Sequence, residues 1–182
     1  MRRAPRPLPP VVTGMTIRPQ GEADSMSRAP GNIPVAAQSF AALMNIGSPR
    51  VLGDRDRALV LLHYDETDPC IVWASPRVRS YRAVWAEASA AGHVDPASAW
   101  GDNVDIDHVF PRSWANAAQL KYVRLFPVWA EVNRSAGGGR EKAALRDGIR
   151  PQVKNGIVFA NEMQVMKILG HPVGTTSRPE RL

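Results

Sequence analysis

His108 is preceded by Asp107 and followed by Val109, Phe110, Pro111, Arg112 and Ser113, and Asn133-Arg134 stands 25 residues beyond it. A histidine of ordinary pKa, about 6.5, can take a proton from water near neutral pH. On a strand, the neighbouring carboxylate points to the other face, so Asp107 cannot orient the imidazole as the aspartate of a triad does. It can instead hold a divalent cation beside the place where His108 would activate a water. A hard oxygen ligand suits Mg²⁺ or Mn²⁺, and Asn133 can offer a second oxygen. A strand carrying Asp-His, a second strand and a helix carrying asparagine can together build a one-metal phosphodiesterase site.

The elements that would position these residues are visible in the sequence. Val104-Asp105-Ile106-Asp107-His108-Val109-Phe110 alternates apolar and polar up to Asp107, which predicts a half-buried strand ended by Pro111. Tyr122–Phe126 predicts a second strand. Pro127 is expected in the first turn of a helix carrying Trp129, Val132 and Asn133, broken at Gly137-Gly138-Gly139. Upstream, Val35, Phe40, Leu43 and Met44 are spaced as a short helix, Ala58–Leu62 fits strand or helix, and Ile71–Trp73 fits a strand. Ser75-Pro76 reads as an N-cap with proline at N1 of a helix whose apolar face is Val78, Tyr81, Trp85 and Ala88, closed by Gly92. Asn155-Gly156 predicts a turn. Asn161 and Gln164 resemble a capping box that opens a helix ending at Gly170, with Met163, Met166 and Leu169 in the core.

Asp105 to about Lys142 resembles the HNH, or ββα-metal, endonuclease family. The resemblance lies in the opening Asp107-His108-Val109-x-Pro111-x-Ser113 and the closing Asn133-Arg134-x-x-Gly137. It implies that His108 is the general base, that Asp107 and Asn133 ligate one divalent cation, Mg²⁺ first and Mn²⁺ or another transition metal after it, and that the scissile phosphate lies between them. On that reading Arg112, Arg134, Arg140 and Lys142 are the phosphate contacts. The motif departs from many members in three ways. Asparagine stands where a terminal histidine is common, with no histidine until His171. Asn116 is the nearest candidate for the middle asparagine, at a short spacing. The zinc-knuckle cysteines are absent, since Cys70 is the only cysteine. The family mostly cuts DNA, so DNA is expected over RNA.

Length and charge complete the expectation. The 182 residues suit one domain. Residues 1–34 hold seven of the 16 prolines, with five arginines against two acids, and read as a flexible Pro/Arg-rich arm. Residues 35–133 carry nine basic and eleven acidic side chains, and residues 134–182 nine basic against four acidic. A mildly acidic middle between basic flanks suits a polyanionic partner. The expected architecture is a small α+β domain over 35–175, containing a ββα-metal centre at about 102–142 with extra helices packed around it, and a tail at 176–182. No apolar run spans a membrane, and Met1-Arg2-Arg3 leads into proline and arginine instead of an apolar signal core. A cytoplasmic protein, or one delivered by a non-classical route, is therefore expected. The function expected is DNA hydrolysis, in the manner of a toxin or effector nuclease with an immunity or inhibitor protein as partner, or equally of a restriction or phage enzyme. The alternative is a non-catalytic nucleic-acid-binding or adaptor protein.

Overall fold

The computed structural model describes residues 33–51, 60–63, 71–100, 102–137 and 153–168. Within them the chain is a small mixed α+β domain with an antiparallel sheet and few helices. The strands are β1 (Pro34–Ala37), β2 (Ser48–Val51), β3 (Val60–His63), β4 (Ile71–Ala74), β5 (Val104–His108), β6 (Tyr122–Trp129), β7 (Val153–Lys154) and β8 (Ile157–Phe159). The α-helices are α1 (Phe40–Met44), α2 (Tyr81–Ala90), α3 (Arg112–Ala117), α4 (Ala130–Gly137) and α5 (Glu162–Ile168). Strand order is β2-β3-β4-β6-β1-β8-β7, with β5 paired to β6 alone. No described helix is long and apolar enough to cross a membrane.

The apolar spacing read as a helix from Val35 is first a strand. All four residues of β1 are buried between β6 and β8, so no polar alternation marks it, and Pro34 sits at the strand's first position where a missing N–H is tolerated. Ile33 and Pro34, assigned above to the arm, are already buried. The helix follows only at Ser39, whose Oγ accepts from the Ala42 amide at 3.1 Å. Ser75 caps a turn and not a helix: Val78 N–H donates to its carbonyl at 3.0 Å, and α2 begins five residues past Pro76. Of the expected face, Trp85 and Ala88 are buried against Val72, Ala74, Ile106 and Leu125, Tyr81 is partly buried, and Val78 packs there from the turn before the helix; Val84, not expected on that face, is buried with them. Gly92 closes it at φ +74°.

Pro127 lies in β6, not in a helix. The ladder bonds Val109 N–H to Arg124 O (3.0 Å) and Ala130 N–H to Asn103 O (2.8 Å) place the hydrogen-bonded pairs at odd positions of β5. Ile106↔Pro127 therefore falls on a non-hydrogen-bonded pair, where the absent amide costs the ladder nothing. The helix then starts at Ala130. A second buried cluster joins Trp114 and Ala115 of α3, Val132 of α4 and Val165 of α5 to Val35, Val123, Phe126, Val128 and Val158 of the sheet. Helices α3, α4 and α5 are thus tied to the strands that flank Asp107 and His108.

The β7–β8 hairpin turns at Asn155 (φ 51°) and Gly156 (φ 76°), the two positive values a type I′ turn requires. A Cβ on Gly156 would also come within 3.1 Å of Ala42 Cβ. Gly156→Ala should therefore cost about 1–2 kcal/mol from the left-handed backbone alone, read as a lower denaturation midpoint, whereas Gly92→Ala meets no neighbour and should cost less.

Candidate active site

The unbroken register of β5 on β6 decides where the two chemical side chains go. Ile106 and Leu125 join the cluster under α2, while Phe126 and Val128 join the cluster with α4 and α5. His108 shares the first face and Asp107, opposite Phe126, the second. At the strand end they still approach each other. His108 Nδ1 and Asp107 Oδ1 are 3.9 Å apart, beyond hydrogen-bond reach.

His108 is 3% exposed. Tyr81, at the start of α2, stands edge-on against its ring with centroids 4.5 Å apart. Burial pushes the imidazole pKa down to about 4, because the charged form loses its water; Asp107 opposes that shift, and Arg112 and Lys167 add to it. His108 is therefore neutral at neutral pH. Its Nε2 is buried and has no hydrogen-bond partner among the described residues. The indole nitrogens of Trp73 and Trp114 share that condition, but an indole can only donate, whereas a neutral imidazole nitrogen can accept a proton. Leaving such a group unsatisfied costs roughly 1–3 kcal/mol, so this position calls for an explanation.

Asp107 is bound by a residue the sequence reading did not single out. Lys167 of α5 donates from Nζ to Asp107 Oδ2 at 2.6 Å and to the His108 carbonyl at 3.1 Å, with its side chain 3% exposed. The helix that carries it starts at the capping box expected there: Asn161 N–H donates to Gln164 Oε1 (2.9 Å) and Gln164 N–H to Asn161 Oδ1 (3.0 Å). Leu169 and Gly170 lie outside the described residues, and Met163 packs at the core's margin. Lys167 lies four residues after Met163, on the helix side that also buries Gln164, a burial that the sequence by itself does not mark.

The other expected residues divide by position. Asn133 is half-buried on α4, whose Val132 packs into the cluster that α3, α4 and α5 form with the sheet. Arg134 is exposed in the last turn of the same helix. Arg112 opens α3 and is half-buried; its Nε donates to the Pro76 carbonyl at 2.8 Å, and its charge is close enough to depress the His108 pKa. Ser113 and Asn116 are exposed on α3. Arg140, Lys142, Cys70 and His171 lie outside the described residues. Asp105, two residues before Asp107, is engaged by Arg82 at 3.0 Å in an exposed pair worth at most about 1 kcal/mol.

The donor set can be tested against a divalent cation. Among the described residues, no three His, Cys, Asp or Glu side chains cluster as metal ligands. A hard cation that keeps several waters needs fewer, typically one or two carboxylates with substrate phosphate. Asp107 and Asn133 are oxygen donors of that type, and Asp107 Oδ2 is taken by the Lys167 ammonium at 2.6 Å. In comparisons with known proteins, no family model, curated protein or solved structure matches the chain.

Because the folded state resists protonation of His108 while an unfolded chain binds a proton near pH 6.5, acid favours unfolding across that interval. Stability should be level above about pH 7 and fall by up to ~3 kcal/mol between about pH 6.5 and 4. Denaturant titrations of wild type and His108→Leu check this, and the variant should lack that part of the acid loss.

Proposed function

We propose that the chain is a metal-dependent endonuclease of the HNH type that hydrolyses phosphodiester bonds of DNA. The observation that carries this reading is the pairing of a neutral histidine, its Nε2 buried without a described partner, with a cation-holding carboxylate at the end of one strand. The chain order is β5, α3, β6 and α4, and Asn133 stands on the helix that follows β6.

In this mechanism His108 accepts a proton at Nε2 from the water that attacks phosphorus. The P–O bond to the leaving oxygen breaks, and that oxygen takes a proton from solvent. The ring is neutral across the physiological range and so is available to accept a proton, although a pKa of about 4 makes it a weaker base than an imidazole near 7. The ring is enclosed, so it must gain contact with water as the substrate docks. Tyr81, edge-on against it, limits how the imidazole can turn. Asp107 and Asn133 would hold a divalent cation, which supplies stabilisation of the charge that builds on the phosphoryl and leaving oxygens. Arg112 and Arg134 bind the phosphates that flank the scissile bond, and Arg140 and Lys142 extend that contact. Affinity then comes mainly from the phosphate backbone. A toxin or effector role, with an immunity protein that covers the basic flanks, fits this chemistry.

The burial of His108 and the Asp107–Lys167 pair favour one second reading, a non-catalytic nucleic-acid-binding or adaptor protein in which both residues only support the fold.

Plasmid cleavage separates the two. With Mg²⁺ or Mn²⁺ the wild type should nick or linearise plasmid, EDTA should stop it, and His108→Ala, its fold verified by circular dichroism, should lose about 10²–10⁴-fold in rate. Cutting that persists unchanged in His108→Ala removes the mechanism. Binding without cutting in any divalent ion establishes the adaptor reading. In either case the log of the DNA affinity should fall with the log of salt by about 0.9 per phosphate contacted.

A further inference from the structure

Arg112 is tied into the surroundings of His108 in a way the mechanism above does not use. It opens α3, four residues after His108, and its Nε donates to the Pro76 carbonyl at 2.8 Å. Pro76 is buried in the turn that leads into α2. Tyr81, the first residue of that helix, stands edge-on against the His108 ring with centroids 4.5 Å apart. These residues close a circuit: chain from His108 to Arg112, hydrogen bond to Pro76, chain to Tyr81, and ring contact back to His108. We infer that Arg112 is a positioning residue for His108, because its bond to Pro76 holds the turn before α2, and with it Tyr81, against the imidazole.

Packing is the rival cause. Tyr81 lies at the margin of the cluster that buries Val84, Trp85 and Ala88, so the body of α2 is held without Arg112. The start of the helix has less support. Ser80 precedes it with no side-chain capping bond. Bonds inside the turn are local, from Val78 N–H to Ser75 O at 3.0 Å and from Arg77 N–H to Ser75 Oγ at 3.3 Å. Arg77, Arg79 and Ser80 are exposed. The Arg112 bond instead reaches across to α3, and its charged donor makes it roughly twice as strong as a neutral one. A bond of that kind shifts a local opening equilibrium by about 10–100-fold. Packing thus fixes where α2 lies, and Arg112 sets how often its first turn lifts from the imidazole.

This role is separable from a phosphate contact. A phosphate would meet the Nη end of the guanidinium, whereas the hold on Pro76 uses Nε. Glutamine carries an N–H where Arg112 has Nε but lacks the Nη end, and methionine has the same reach with no donor. Both remove the charge, so a difference between them reports the hydrogen bond.

The test uses the full chain and diethyl pyrocarbonate at neutral pH, without metal or DNA, with carbethoxylation of His108 read by peptide mass spectrometry. His108 is neutral there, so labelling reports access and not charge. Labelling should be slow in the wild type, a few-fold faster in Arg112→Gln, whose bond is uncharged, and about 10–100-fold faster in Arg112→Met. Tyr81→Leu should match Arg112→Met, and Tyr81→Phe the wild type. Equal labelling in Arg112→Gln and Arg112→Met, or Tyr81→Leu no faster than the wild type, overturns the inference. Should Arg112→Met not fold, Arg112→Gln decides, and unchanged labelling overturns it. The catalytic meaning rests on reading His108 as the general base. In plasmid cleavage both Arg112 variants should raise KM alike, since both lack the Nη end, and Arg112→Met should in addition lower kcat by about tenfold. Equal kcat in the two removes the positioning role. If the wild type cuts nothing, the base reading fails by itself, while labelling still decides whether Arg112 holds Tyr81 in place.

Discussion

The pairing of β5 with β6 is the constraint on which the rest depends. Its register sends Ile106 and His108 toward α2 and Asp107 toward α5, so adjacent residues enter two different environments. One becomes a buried, neutral imidazole against Tyr81. The other becomes a carboxylate held by a buried ammonium. A slip of one residue would exchange the two faces and place the carboxylate under α2. The ladder tolerates Pro127 because that residue falls on a non-hydrogen-bonded pair, so the strand runs on to Trp129 and hands the chain directly to α4.

The electrostatics follow from those environments. A buried ion pair is weak as a source of stability, because desolvation of both charges offsets their attraction, and it becomes costly mainly when one partner is lost. Asp107 and Lys167 are therefore better understood as a fixed arrangement than as a prop for the fold. Lys167 also touches the His108 carbonyl, and its charge helps keep that imidazole neutral. The imidazole and the carboxylate, on opposite faces, thus answer to the same ammonium.

Legibility in the sequence followed local chemistry. The Asn155-Gly156 turn, the Asn161/Gln164 capping box and the strand carrying Asp107 and His108 each carry a mechanism that acts within a few residues, and each is present, the strand stopping at His108 instead of running on toward Pro111. Val35-Ala36-Ala37 was not legible as a strand, because burial on both faces erases the alternation that marks one. Ser75-Pro76 offered a helix start whose chemistry a turn uses equally well. The misplaced helix at Pro127 had a different cause: whether a proline fits depends on which ladder pair it occupies, and that is fixed only when β5 is in register. Lys167 was the largest omission at the site. Its contact with Asp107 spans 60 residues of sequence, and in the sequence a lysine between Met166 and Ile168 differs little from one on a solvated helix flank.

The claim that Asp107, His108 and Asn133 form one nuclease centre is tested most directly by where a cation settles. Crystals grown with Mn²⁺ and a short non-cleavable DNA duplex should give an anomalous peak bonded to Asp107 and Asn133, with the scissile phosphate beside it and a water on His108 Nε2. A peak bound elsewhere, or an Asp107 still held only by the Lys167 ammonium with DNA in place, would contradict it.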